Sequence, residues 1–446
     1  MTSSDANTGA HGLRRRRITR TVASGFIAKA AMFLPTLAIA RVVVPVLGPE
    51  RFGVLMTILS LLAFLAIADL GVGSSLVTLI SRAVGAGQTD RVRQLQANGL
   101  VAVSCMAALL LVVALAVFYI DVGSLIFPAS APPVRTEATH GLAVFCLLFA
   151  LSLPLTLVSK IQLGLQRGHL ANYWQTATAI VNFICGVLAA RHGLSIPWIV
   201  AAMMTGTLVC GLANMSVHYW RNPLMRPVRG DVTGTEFRSL LAESSFFLAL
   251  QVIFVIAYAA DTAIVARTLG AQQASVYALS ERLFSIVAVA VGVITAPLWA
   301  AYGEAFGARD WDWGRRVLRL STTRIAVAAF ALSFGILALL NPLIRILSSG
   351  KLSVPITLAL AMAGWRVIEA IGGSLSVYMF ASQSLRFVLI TGAGTALVSL
   401  VAKLLILPHT GLFAMPLIMG TCYLLLCLFP TLYHVRRAHH PVPTWQ

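Results

Sequence analysis

Leu109-Leu110-Leu111-Val112-Val113-Ala114-Leu115-Ala116-Val117 is an unbroken apolar run inside a longer apolar stretch, Gly99–Ile120. A strand in a membrane barrel alternates lipid-facing and lumen-facing residues with period two, and this run does not alternate. With its flanks it reaches the roughly 20 residues that carry a helix across hydrocarbon. Lipid offers the backbone no hydrogen bonds, so only helices and closed barrels cross it. The stretch therefore reads as a transmembrane helix.

Eleven further stretches read the same way. Before it come Ile18–Pro45 and Phe52–Ile80; after it come His140–Leu163, Ala171–Ala190 and Ile196–Tyr219. A second set comprises Ser244–Ala266, Ser275–Ala300, Ser321–Leu340, Pro355–Phe380, Phe387–Leu407 and Leu412–Tyr433. Composition agrees: 58% of the 446 residues are hydrophobic, 11% are charged, and the mean hydropathy is +0.86. So little charge cannot cover that much apolar surface in water. The expected fold class is an all-α polytopic membrane protein, with about 12 transmembrane helices in two pseudo-symmetric six-helix bundles around a central cavity.

The formal net charge of +18 follows from topology. Placing 22 of the 33 basic residues, among them Arg14–Arg17, Arg20, Arg167, Arg221, Arg315 and Arg316, on one side leaves 8 on the other, including Arg41, Arg267 and Lys403, and 3 within spans. Cytoplasmic loops carry the basic excess, so both termini are expected in the cytoplasm. These loops suit anionic lipids. Nucleic acid is not an expected partner, because no basic patch belongs to a soluble module. The six cysteines all fall within spans, and none has metal-ligand spacing. Arg14–Arg17 and Ala38-Ile39-Ala40 imitate a signal peptide, but the apolar stretch is too long and Lys29 interrupts it. Met1–Leu13 reads as a polar, disordered tail.

An offset of 222 residues superposes Leu47-Gly48 on Leu269-Gly270, Ala66-Ile67-Ala68 on Ala288-Val289-Ala290, Ala83-Val84-Gly85-Ala86 on Ala305-Phe306-Gly307-Ala308, and Arg93 on Arg315. The expected organisation is a tail at 1–17, a six-helix half at 18–220, a cytoplasmic linker at 221–243, a second six-helix half at 244–434 and a tail at 435–446. Six spans per half return the chain to the same side, so the repeats are parallel, and transporter sites lie at such repeat interfaces. Ser81–Asn98 and Tyr302–Leu320 are equivalent loops. They read as surface amphipathic helices or simple solvated connections, with Trp311 and Trp313 at the interface.

Ionisable side chains inside spans are costly and mark functional candidates. The set is Lys29, Asp69, Asp261, Glu281, Arg282, Arg366 and Glu369. Helical spacing groups Gln251, Tyr258 and Asp261, then Tyr277, Glu281 and Ser285, then Arg366, Glu369, Gly373 and Ser376. Gln175, Thr178 and Asn182 form another stripe. Polar stripes in both halves point to a hydrated cavity. Lys29, Arg282, Arg366, Gln175, Asn182 and Tyr258 are candidate substrate contacts; Asp69, Asp261, Glu281 and Glu369 are candidate ion-coupling groups. The alternative for Arg366/Glu369 is mutual neutralisation between helices, and for Asp69 a local cap. There is no GxxxxGK[ST] phosphate loop and no HExxH zinc motif. No catalytic residue, metal or cofactor is expected.

The segment Leu47-Gly48-Pro49-Glu50-Arg51-Phe52-Gly53-Val54, followed by a span ending Asp69-Leu70-Gly71-Val72-Gly73, resembles the polysaccharide transporter (oligosaccharide flippase) family of the multidrug/oligosaccharidyl-lipid/polysaccharide (MOP) exporter superfamily. Phe52 stands where a Tyr is more usual. The resemblance implies a flippase that passes an undecaprenyl-diphosphate-linked oligosaccharide from the cytoplasmic to the external leaflet of a bacterial inner membrane. It implies a cationic cavity, to which Lys29 and Arg282 are assigned, and polysaccharide polymerase machinery as a further partner. Two alternatives stay open: a multidrug or small-molecule antiporter of the same superfamily, and a membrane polysaccharide polymerase or ligase.

Overall fold

The structure, a computed structural model, describes residues 3–60, 69–120, 122–126, 131–348 and 353–437. Among them there is no strand. The principal helices are α1 (Ser3–Ser60), α2 (Val72–Gly85), α3 (Thr89–Tyr119), α4 (Pro132–Gly164), α5 (Gly168–Arg191) and α6 (Ile196–Arg221). They continue as α7 (Gly234–Leu269), α8 (Ala271–Gly307), α9 (Trp311–Ala338), α10 (Ile356–Ala381), α11 (Leu385–Thr410) and α12 (Ala414–Arg437). Ten of them, α3 to α12, are long and apolar enough to cross a membrane, so the chain is a multi-pass membrane protein. In the opening run Leu109, Val112 and Leu115 are exposed, the face a lipid-solvated helix presents outward.

Local chemistry sets the helix ends. Proline occupies the first turns of α4 and α6, where its missing N–H costs nothing. Asp310 caps α9 by accepting the Trp313 N–H at 3.3 Å. Gly48 interrupts α1 with φ 74° and ψ 165°, a backbone state open to a residue without Cβ. It ends the first expected span and starts the second.

Three expectations need correction. The N-terminal segment is helical from Ser3, not a disordered tail: no proline occurs before Pro35, so the helix propagates outward from its apolar part. The second span is not one helix to Ile80, because Leu70 (φ 50°) and Gly71 (φ 79°) break it. Residues 61–68, which include Ala66-Ile67-Ala68 of the repeat, lie outside the described residues. The two loops after the second span of each half are not surface helices but short solvated connections. They shrink to the turns 86–88 and 308–310, with the flanking residues absorbed into α2, α3, α8 and α9. Trp313 is buried rather than interfacial. That turn folds α9 back on α8, and Trp313 meets Tyr302 edge-on at 6.2 Å while Trp311 stacks on Phe306 at 4.7 Å.

The chain divides into two compact units, Met1–Ser245 and Phe246–Gln446. Their backbones repeat one another. Gly48 and Gly270 both have positive φ with ψ 165°. Gly87 and Arg309, at the same 222-residue offset, both turn through positive φ, and so, at the slightly shorter offsets of 217 and 218, do Gln166 and Gln383 and Gly193 and Gly411. The break at Leu70-Gly71 has no counterpart, since the equivalent residues run on inside α8.

In the first unit α5 packs on α1 and α6, and α4 packs on α3 and α6. One core gathers Leu55, Phe145, Ile196 and Ile199; another gathers Leu76, Ile80, Leu95 and Ile161. Between lipid-solvated helices such contacts act through close packing rather than release of water. The polar segment after α6 docks on this unit. Asp231 is buried, accepts the Arg93 Nε–H at 2.8 Å and the Val228 N–H at 2.8 Å, and gives its carbonyl to Asn98 at 3.2 Å. In the second unit α10 is the central helix, packed against α8, α9 and α12.

Candidate functional site

Helix α8 carries Tyr277 and Glu281 one turn apart, and each reaches a different neighbour. The Tyr277 hydroxyl donates to Asp261 Oδ2 of α7 at 3.2 Å, and Lys403 Nζ of α11 donates to Asp261 Oδ1 at 2.5 Å. Glu281 accepts one Nη of Arg366 on α10, whose other Nη bonds Glu369 at 2.5 Å. The planar guanidinium lets one arginine grip two carboxylates at once. The result is a ladder of ionisable groups across four helices of the second unit.

Burial makes this ladder energetically sensitive. Arg366 is 4%, Asp261 5% and Lys403 1% exposed, whereas the Glu281 side chain is 39% exposed. An isolated charge cannot stay ionised in such surroundings, so pairing is obligatory. Fully ionised, the ladder sets two cations against three carboxylates. It is therefore suited to hold one further positive charge, reached through Glu281.

A cavity of about 420 Å³ adjoins Arg366 and Glu369 within the second unit. Its walls are mostly apolar, from Leu250, Phe254 and Phe380 among others, while Ser376 and Tyr423 add hydroxyls. Gly292 and Gly373 leave the space open, because no side chain fills it there.

The remaining sequence candidates fall elsewhere. Lys29 is exposed on α1, one residue beyond buried Ala28, and Arg282 is exposed on α8. Gln175 is exposed on α5. Asn182 bridges α5 to α6: its Nδ2 donates to Thr207 Oγ1 at 3.1 Å and its Oδ1 accepts the Thr207 N–H at 3.2 Å. Asp69 caps α2 by accepting the N–H groups of Gly71 at 2.9 Å and Gly73 at 3.1 Å. The side chain of Tyr258 lies outside the described residues. No group of three or more His, Cys, Asp or Glu side chains could hold a metal among the described residues.

Lys403 is the group that sequence reasoning misplaced. Counted with the external loops, it instead sits inside α11 and neutralises Asp261. The available signal was its position four residues before the end of an apolar span, with Leu404-Leu405-Ile406-Leu407 following it.

Comparison with known proteins adds three findings. The family described as "Polysaccharide biosynthesis protein" matches residues 18–300. A Salmonella typhi protein described as "Putative O-antigen transporter" is 22% identical over 333 residues, covering 73% of this chain and 74% of its own. Among solved structures, an outward-facing multidrug resistance MATE family transporter of the MOP superfamily superposes with a TM-score of 0.81 at 14% identity, over 97% of each chain. A MOP superfamily transporter from Pyrococcus furiosus gives 0.77 at 15% identity, over 95% of this chain and 96% of its own. At these identities the structural matches establish the fold.

Proposed function

The chain belongs to the polysaccharide biosynthesis protein family, and from that premise we propose that it is a flippase for a polyprenyl-diphosphate-linked oligosaccharide. It carries the sugar head from the cytoplasmic to the external leaflet of the bacterial inner membrane, by alternating access, with both termini in the cytoplasm. The match across residues 18–300, in a chain with ten helices among its described residues long and apolar enough to span a membrane, is the observation that carries this reading.

The chemistry of the cargo fits such a protein. Each unpartnered sugar hydroxyl costs roughly 1–3 kcal/mol to bury, so the head needs a polar path while its prenyl tail remains in lipid. Lys29, Gln175 and Asn182 in the first unit, and Arg282 and Tyr258 in the second, are the proposed contacts, Lys29 and Arg282 each being a candidate cation for the diphosphate. Arg366 lines the second unit's cavity and is a further proposed contact. Outward movement of an anionic head is favoured by about 2.3 kcal/mol per charge for each 100 mV of inside-negative potential.

The acidic excess of the ladder favours a second element, coupling to an inward-moving cation at Asp261, Glu281 and Glu369. Asp69 belongs to the same proposed set, though its hydrogen bonds are those of a helix cap.

The test is transfer of a fluorescent lipid-linked glycan across vesicles holding the purified protein. Transfer faster than in empty vesicles, reduced by Lys29→Ala and by Arg282→Ala, is the expected result. Vesicles that pass small cationic drugs and never the glycan would overturn the reading in favour of an antiporter.

A further inference from the structure

The first unit contains a second, chemically different pocket that this proposed function does not use. It is a cavity of about 650 Å³ where α4 and α6 end and α5 begins. Arg17 and Arg20 of α1, Arg167 before α5 and Arg221 at the end of α6 line it, and among the described residues no acidic one does. Helix α5, 24 residues long, points its N-terminus at this space without a side-chain cap. Four guanidinium groups and the positive end of a helix dipole thus face one void.

Surface arginines alone would make only a diffuse basic patch. Here buried polar groups lie beneath them. Gln166 is 6% exposed, and neither its Nε2 nor its Oε1 has a partner. His218 is 3% exposed, and its Nε2 is equally unpartnered. Gln162, 1% exposed, spends its amide on Asn214 at 2.6 Å and keeps Oε1 open. Buried polar atoms are seldom left without partners, and each one calls for an occupant. A Gln amide and an imidazole N–H at the floor, below arginines at the rim, form a donor set for a tetrahedral oxyanion. Arg167 is already oriented, because its Nη1 donates to Asn222 Oδ1 at 2.7 Å.

We propose that this pocket is a binding site for a phosphate or diphosphate group, with Gln166 and His218 donating from its floor and Arg20, Arg167 and Arg221 closing over the charge. The group reaches it from one of two sources, a phospholipid headgroup or a free phosphate in solution. The site stands apart from the second unit's ladder and does not depend on the identity of the transported molecule.

The experiment uses the purified full-length chain in a neutral detergent. In one arm pyrophosphate is titrated calorimetrically at fixed ionic strength, against sodium chloride as the control. In the other, native mass spectrometry follows retention of phosphatidylglycerol against phosphatidylcholine. Arg20→Gln and Arg221→Gln change exposed side chains and leave the fold intact, which their unfolding temperatures verify; Gln166→Leu probes the floor. The expected result is saturable binding in at least one arm, weakened tenfold or more by each arginine variant and by Gln166→Leu. Arg316→Gln, on α9 of the second unit, leaves it unchanged. Binding of pyrophosphate alone identifies a soluble phosphate as the source, and retained phosphatidylglycerol identifies a lipid headgroup. Absence of saturable binding in both arms, or binding equally weakened by Arg316→Gln, overturns the proposal.

Discussion

Lys403 and Asp261 are 142 residues apart in sequence and 2.5 Å apart in space, joining α11 to α7 inside the second unit. Each is costly in lipid-solvated protein, and the pairing offsets that cost. Asp261→Ala leaves the Lys403 ammonium buried and is expected to destabilise the protein by about 3–5 kcal/mol. The double variant Asp261→Leu/Lys403→Met should recover most of that loss. Thermal unfolding in detergent checks both, and equal destabilisation by the single and the double variant would show that an uncompensated Lys403 charge is not the source of the loss.

Arg366 separates two carboxylates that would otherwise face each other. Arg366→Met is expected to cost about 3–5 kcal/mol, as for other broken buried pairs, and to abolish glycan transfer. Arg366→Lys should rescue stability in part and transfer poorly, because a point charge cannot make the forked contact to Glu281 and Glu369. Full transfer by Arg366→Lys would mean that charge, not geometry, is what matters.

Gly372 lies where a methyl group would run into the ring and hydroxyl of Tyr423 on α12. Gly372→Ala therefore overpacks the contact between α10 and α12, at about 1–3 kcal/mol. Adding Tyr423→Leu should relieve most of the strain. Unfolding temperatures of the three variants decide it, and a Gly372→Ala protein as stable as the parent would contradict the close approach.

Asp231 makes the docking of the segment between α6 and α7 sensitive to acid. Burial works against its charge, but the bond from the Val228 N–H and then the Arg93 guanidinium outweigh it and hold the carboxyl below its ordinary value. A group depressed in the folded state contributes stability that is complete above its unfolded value of about 3.9 and is lost as pH falls through the folded value. Hydrogen exchange across residues 222–233 should stay slow at neutral pH and quicken only below about pH 4. Asp231→Asn should exchange faster at neutral pH, with that acid step removed.

How far the sequence reaches is visible in single residues. Apolar runs such as Leu109–Val117 declare helices because lipid admits only helices and closed barrels and the runs lack a barrel strand's alternation, and the 222-residue offset found in sequence reappears in the backbone at Gly48 and Gly270. Arg366 and Glu369 were legible as neighbours because a helix places residues three apart on one face. Glu281 was visible as a candidate, yet its bond to Arg366 crosses 85 residues, and no local spacing encodes that. The basic pocket of the first unit was seen only as scattered loop arginines, because its floor brings Gln166, in the turn between α4 and α5, to His218 of α6.

Helical class and internal repetition were thus set by composition and period, since the bilayer acts on each segment by itself. Partnerships were not. Whether Lys403 lay in an outer loop or beside Asp261, and whether Asp69 faced a cavity or capped α2, depended on which helices packed together. Only the assembled units bring such distant charges within hydrogen-bonding reach, where burial makes each pairing decisive.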